Sequence, residues 1–237
     1  MTTIEERVSA VDWARVSDEL DQQGATVVER VLTAAECEQL GALYEHDEPF
    51  RSRVIMARHG FGAGEYRYFA YPLPPLVESL RASAYPHLVP IARRWAEALA
   101  TGVEYPSRHR DFLERCHRAG QARPTPLLLS YREGDYNCLH QDLYGEHVFP
   151  LQMAILLSSP GRDFVGGELV MTEQRPRRQS RPMVVPLAQG DAAVFAVHHR
   201  PVQGARGFHR VQLRHGVSRV RSGHRTTLGV IFHDAAG

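Results

Sequence analysis

The triplet His140-Gln141-Asp142 is where residue type and spacing first suggest chemistry in this chain of 237 residues. It closes a run, Asn137–Gln141, that reads as a strand. Residues two apart on a strand point the same way, so an imidazole and a carboxylate can face one point. One further histidine would complete a 2-His-1-carboxylate facial triad, the ligand set of non-haem iron(II). Such a triad leaves three positions on an octahedral ion, two for a chelating 2-oxo acid and one for dioxygen. His198, His199, His209, His215 and His224 are candidates for the third ligand. In a chain with 13 histidines the triplet alone is weak, since a solvated loop histidine and aspartate read identically. A second feature adds weight. Arg225 heads the apolar strand Thr226–Phe232. An unpaired buried charge is costly, and a bidentate carboxylate is the best partner for a guanidinium. The 5-carboxylate of 2-oxoglutarate would provide one.

The elements that must position these groups differ between two halves. To about residue 124 the pattern is mainly helical. Val11–Gln22 has a helical apolar period with Gly24 as stop, followed by a short strand, Ala25–Glu29. Thr33 and Glu36 form a capping box for a helix that buries Leu40, Leu43 and Tyr44. Arg51–Tyr71, with three glycines and Tyr66, Tyr68, Phe69 and Tyr71, reads as a flexible aromatic segment. Leu76–Ala100 reads as a long helical region with Pro90 as a candidate interruption, and Arg110–Arg118 as another helix. From Pro124 the pattern becomes strand-like. The predicted strands are Leu127–Arg132, Asn137–Gln141, Phe149–Leu157, Gly167–Thr172, Pro182–Leu187, Ala192–Val197, Arg210–Arg214 and Thr226–Phe232, separated by turn signals. Eight short strands suggest a sandwich or barrel, with the helices covering one sheet face.

The order of blocks in this half carries a resemblance. Tyr131 and the turn Glu133-Gly134-Asp135 precede His140-Gln141-Asp142. Then come Gly166-Gly167-Glu168-Leu169, Gly190-Asp191-Ala192-Ala193-Val194-Phe195, and a last block with His215, Val217, Val220, Gly223 and Arg225. Tyr131 to Phe232 resembles the prolyl-hydroxylase-type branch of the 2-oxoglutarate/Fe(II) dioxygenase superfamily. The phrases Cys138–Gln152 and Val194–Gly204 are closer still to a bacterial family of oxygenases predicted to act on alkylated nucleic acid. The resemblance implies an α+β fold with a mainly β core, a double-stranded β-helix (jelly roll) with N-terminal helices packed on one sheet. It implies one domain over 1–237, with 1–123 as helical support and substrate lid and 124–237 as catalytic core. Fe(II) would be held by His140, Asp142 and His215, the last chosen by its register with Arg225. His198 and His199 would flank the site mouth, and His224 would face away. Arg225 would hold 2-oxoglutarate, with hydrogen bonds from Tyr131 and Gln152, and ascorbate would assist turnover. Ala154, Ile155, Leu156 and Leu157 stand where relatives often present a tyrosine to the distal carboxylate, so that end of the pocket is expected to differ.

The substrate is less legible. Tyr66 and Tyr68 can stack on a base or simply pack over the barrel. Tyr136 and Asn137 are placed at the mouth, and Arg177 and Arg178 belong to a cluster able to contact phosphate or stand solvated in a hairpin. The partner is dioxygen with a small-molecule, peptidyl or nucleic-acid substrate, undecided. A net charge of +1 favours neither nucleic acid nor membrane. No run approaches the ~20 apolar residues of a membrane helix, so no membrane partner is expected. The polar, acidic first residues and three scattered cysteines, none in a C-x-x-C pair, lead to the expectation of a cytoplasmic protein with free thiols and no structural zinc. The competing reading is a non-catalytic metal- or ligand-binding β-sandwich module, a sensor or a sugar binder.

Overall fold

The same device opens two helices early in the chain. Thr3 and Glu6 form a capping box for α1 (Ile4–Ser9), and Thr33 and Glu36 form one for α3 (Ala34–Ala42). Between them lie α2 (Trp13–Gln23), which ends on left-handed Gly24, and strand β1 (Ala25–Val28). These elements come from a computed structural model that describes residues 2–236. Met1 and Gly237, the ends of the expected domain, lie outside the described residues.

The aromatic segment is the first departure from expectation. Instead of a flexible stretch it forms β2 (Phe50–Ile55), β3 (Gly62–Ala63) and β4 (Glu65–Phe69). β4 pairs with β2 on one side and with β5 (Leu127–Arg132) on the other. The glycines that argued for irregular structure serve the turn instead. Gly62 and Gly64 have φ of 130° and 116°, and a Cβ on Gly62 would meet the Tyr136 carbonyl at 2.4 Å.

The second departure is α4 (Pro75–Ala98), which runs uninterrupted through Pro86 and Pro90. The two prolines are four residues apart and both exposed, as is Ala82. The carbonyls left without donors, those of Ala82 and Pro86, therefore lie on the solvent side where water satisfies them. α5 (His109–Arg118) then packs on α4.

The remaining strands are β6 (Tyr136–His140), β7 (Leu151–Leu156), β8 (Phe164–Gly166), β9 (Leu169–Gln174), β10 (Arg181–Val185), β11 (Ala192–Ala196), β12 (His199–Gly204), β13 (Gly207–Val217) and β14 (Val220–Ile231). They complete two antiparallel sheets. The larger has the order β1-β11-β7-β14-β5-β4-β2, with β8 beside β14. The smaller has the order β10-β9-β13-β6-β3, with β12 beside β13. The fold is thus mainly antiparallel β with a few helices. Among the described residues no helix is long and apolar enough to cross a membrane.

Alternation along the larger sheet separates two environments. Tyr66, Tyr68, Leu129, Tyr131, Gln152, Ala154, Phe195, Arg225 and Thr227 line one cavity on its inner face. Leu128, Ile155, Val194, Leu228 and Val230 alternate with them and join the buried residues of α2, α3 and α4 in one core cluster. Both faces are buried, so these strands read as unbroken apolar runs.

Two buried histidines sit at the helix side of this sheet. The His109 Nε2 lies 2.8 Å from the Phe232 carbonyl, and burial pushes the imidazole down to about 3. Burial does the same to His233, down to about 4. Unfolded imidazoles titrate near 6.5, so below that pH the unfolded chain takes protons that the fold refuses. Stability is expected to be flat above pH 6.5 and to fall below it by about 1.4 kcal/mol per pH unit for each such group. Denaturant melts of wild type and His109→Gln between pH 7.5 and 5 check this, and an unchanged slope in the variant would refute it.

Candidate metal centre

β6 and β13 pair so that His215 stands directly opposite His140, with ring centroids 4.2 Å apart. A bulge follows, and Val217 pairs with Asn137. Gly216 lies in it, where a Cβ would meet the Asn137 carbonyl at 2.6 Å, so a side chain there would hold the two strands apart. Asp142 lies just past the end of β6. Its Oδ1 is 3.5 Å from His140 Nε2 and its Oδ2 is 3.2 Å from His215 Nε2. Two ligands about 2.1 Å from one ion and at right angles lie ~3 Å apart, so a single cation fits among the three. His140 Nδ1 meets the Cys138 carbonyl at 2.8 Å, an acceptor that puts the proton on Nδ1 and leaves Nε2 free for a metal.

Asp142 is held on both oxygens. Tyr144 Oη donates to Oδ1 at 2.8 Å and Gln152 Nε2 donates to Oδ2 at 2.9 Å. Burial opposes ionisation, but the interactions with His215 and His140 and the Gln152 amide outweigh it and hold the carboxyl below its usual range. Tyr68 Oη lies 3.1 Å from Tyr144 Oη and braces it. Gln121 fixes the same turn, accepting from the His147 N–H and donating to the carbonyls of Tyr144 and His147. Tyr144→Phe frees one Asp142 oxygen from its donor. It is expected to weaken Mn(II) binding by about 10-fold, the scale of losing an outer-sphere partner. Anaerobic calorimetry measures it, and an affinity equal to wild type would contradict the role.

The facing wall comes from the larger sheet. Arg225 is 2% exposed and pairs across strands with Tyr131. Its Nη1 donates to Thr227 Oγ1 at 2.5 Å, and its Nε has no partner among the described residues. The guanidinium carbon lies 5.5 Å from the Tyr131 ring centre and 5.9 Å from that of Phe164. Burial pushes Arg225 down to about 10, so it stays charged near neutral pH. Among the described residues no carboxylate forms an ion pair with it, and Glu168 acts on it only from a distance. A buried cation without an anion, on the same cavity as a metal-shaped triad, fits a ligand that carries a carboxylate and chelates an ion. The cavity measures about 380 Å³.

The structure brings most of the singled-out residues onto this cavity: Tyr131, Gln152, Arg225, Tyr66, Tyr68 and Asn137 line it beside the triad. Asn137 Nδ2 donates to Tyr131 Oη at 3.3 Å. The Gln152 amide group is engaged by Asp142, with only its Oε1 unpartnered. Tyr136 stays outside, exposed under the Arg219 guanidinium. Arg177 and Arg178 lie in the hairpin between β9 and β10, also outside. His198 and His199 do not line the cavity, and His199 begins β12. His224 turns away from Arg225 and its Nε2 meets Ser130 Oγ at 2.7 Å. Sequence reasoning missed Tyr144 and Thr227. Thr227 was within reach, since it is two residues from Arg225 on one strand. Tyr144 was not, because it follows the strand in an irregular turn.

A family described as an oxygenase, catalysing oxidative methylation of damaged DNA, matches residues 64–235. Two sequences from strains of Mycobacterium tuberculosis, each named only as an uncharacterized protein, are 49% identical over 168 residues, 71% of this chain and 72% of theirs. A Pseudomonas putida prolyl-4-hydroxylase shares the fold at 15% identity and a TM-score of 0.54, covering 95% of this chain and 100% of that one. An oxidoreductase of the 2OG-Fe(II) oxygenase family from Burkholderia pseudomallei shares it at 18% identity and a TM-score of 0.54, covering 96% and 94%.

Proposed function

Because the chain belongs to that oxygenase family, we propose that it is an Fe(II)- and 2-oxoglutarate-dependent dioxygenase acting on an alkyl group of damaged nucleic acid. In this reading His140, Asp142 and His215 hold the iron, and Arg225, with Tyr131 and Thr227 beside it, holds the distal carboxylate of the oxo acid. The observation that carries it is the unpaired, buried Arg225 guanidinium on the cavity of the triad.

When bound, the iron and 2-oxo acid supply the oxidising chemistry, one oxygen atom of O2 entering the substrate and the other the acid, which leaves as succinate and CO2. The chain does the rest. His140 Nδ1 is held by the Cys138 carbonyl, which fixes that ring, and Tyr144 and Gln152 orient Asp142. Leu129, Ala154, Phe195 and Val217 exclude water from the inner wall. Apart from the triad and Arg225 the lining is uncharged. A free amino acid would bring an ammonium and a carboxylate with no partner there, whereas a base among Tyr66, Tyr68 and Tyr144 would be matched in polarity.

The architecture is read in the same way. From β5 onward the chain passes repeatedly between the facing sheets, and we take residues 124–237 as a double-stranded β-helix core. Residues 1–123 complete it rather than cap it, since β1 to β4 all add to its sheets. The three free cysteines suit a reducing, cytoplasmic compartment.

The test is succinate release from 2-oxoglutarate with Fe(II), ascorbate and an N-methylated oligonucleotide, with His140→Ala as control. Release by wild type alone is expected. The absence of both turnover and calorimetric binding of 2-oxoglutarate by the metal-loaded protein would overturn the reading.

A further inference from the structure

The near-zero net charge conceals a divided molecule. Before residue 169 there are 17 arginines and 24 acidic residues, and from 169 onward 11 arginines and 3 acidic residues. The chain has no lysine. The three acids of the second part are all buried: Glu173 at 4%, Asp191 at 7% and Asp234 at 0% exposure. Each is already engaged. Arg200, Arg175 and Arg181 converge on Glu173, Asp191 accepts from the backbone of Arg30 and Ala188, and Arg81 pairs with Asp234. Beyond Arg175 and Arg181, none of them forms an ion pair with the exposed arginines of this part.

That charge has a place in the fold. Along β13 the side chains of Val211, Leu213 and His215 turn inward and are buried, so Phe208, Arg210, Gln212 and Arg214 stand on the outer face of the smaller sheet. Thr172 and Gln174 of β9 stand beside Arg214 and Gln212 in register. Phe208 is 53% exposed, and Arg210 and Arg214 are exposed too. Among the described residues no acidic side chain points outward from the strands of this sheet. Arg177 and Arg178 extend the positive area at the hairpin.

We propose that this face docks the phosphodiester backbone of a nucleic acid, an inference that rests on the nucleic-acid reading of the substrate. Guanidinium forks match phosphate oxygens bidentately, and glutamine and threonine between them add neutral hydrogen bonds. Arg210 and Arg214 lie ~14 Å apart along an extended strand, about four base steps of a duplex. An exposed Phe208 next to them offers a stacking surface.

The experiment is fluorescence anisotropy of the whole protein with a labelled 20-nucleotide single strand and its duplex, at 50 and 200 mM NaCl. The double variant Arg210→Glu, Arg214→Glu is expected to bind at least 30-fold more weakly at 50 mM. Its log–log salt slope should be shallower by about two, one per phosphate contact. Arg110→Glu, on α5, should bind within 2-fold of wild type. Calorimetric 2-oxoglutarate affinity unchanged in all variants shows that they fold, and Arg210→Gln with Arg214→Gln should show the same loss more mildly. Wild-type affinity and slope in the double variant would overturn the docking face while leaving the substrate reading intact. Tighter binding to phosphatidylserine vesicles than to either oligonucleotide would overturn it in favour of a membrane surface. Binding through this face of a methylated strand that is never oxidised would uphold the docking and remove the substrate reading.

Discussion

Asp142→Ala is expected to abolish turnover and to remove measurable Mn(II) binding in anaerobic calorimetry. Asp142 supplies the only formal negative charge among the three converging side chains, and its oxygens lie 3.2 and 3.5 Å from the two imidazole nitrogens. Without it two neutral imidazoles must bind a dication alone. The loss should therefore exceed the roughly 10–100-fold that an outer-sphere partner costs. Folding is the competing explanation for any loss, and it can be separated. The Tyr144 hydroxyl and Gln152 amide would each lose an acceptor, at about 1–3 kcal/mol apiece if no water replaces it. Asp142→Asn retains an acceptor oxygen and should melt near wild type while still failing to bind metal. Wild-type Mn(II) affinity in both variants would mean that the cation does not sit at this triad.

Arg225→Met is expected to act in two opposite directions. Affinity for 2-oxoglutarate should fall by about 100-fold or more, near 3 kcal/mol, the scale of a charge-assisted hydrogen-bond pair. Mn(II) affinity should hold within a few-fold, because Arg225 lies on the other wall of the cavity. The melting temperature of the ligand-free chain should meanwhile rise. Arg225 is buried with no ion-pair partner among the described residues, a cost that the apolar side chain removes. A structural arginine would behave the other way, lowering stability and leaving oxo-acid binding alone. Arg225→Lys should not rescue binding, since an ammonium cannot reproduce the planar fork held against Thr227.

Much of the site was legible because it follows strand periodicity. His140 and Asp142, two residues apart, and Arg225 could be placed by parity, although β14 begins at Val220 and puts Arg225 within the strand rather than at its head. So could the opposite sense of His224, which the structure turns toward Ser130. The choice of His215 over His209 came from the spacing to Arg225. What failed was the aromatic segment. Its glycines suggested a flexible, irregular stretch, yet Gly62 and Gly64 are there because the backbone crosses Tyr136 and Tyr131 too closely for a side chain. Local composition reports conformational freedom and cannot report what the freedom serves. The helix break at Pro90 failed for a related reason. Proline penalises a helix by a missing donor, and only the tertiary arrangement decides whether the orphaned carbonyl faces water.

The sequence by itself determined the kinds of groups present and their parity along each strand: two ligands at H-x-D, a cation on the last strand, and the capping box at Thr33. These depend on spacing over a few residues, which backbone geometry fixes locally. Only the tertiary structure decided which face of each strand looks into the cavity, since helices bury the other face too and both read as apolar. It also decided the pairing of His215 with His140 across 75 residues of chain, the bracing of Asp142 by Tyr144 and Tyr68, and the lack of an ion-pair partner for Arg225 among the described residues. Those relations join residues far apart in the chain, and only the packing of one sheet against the other brings them together.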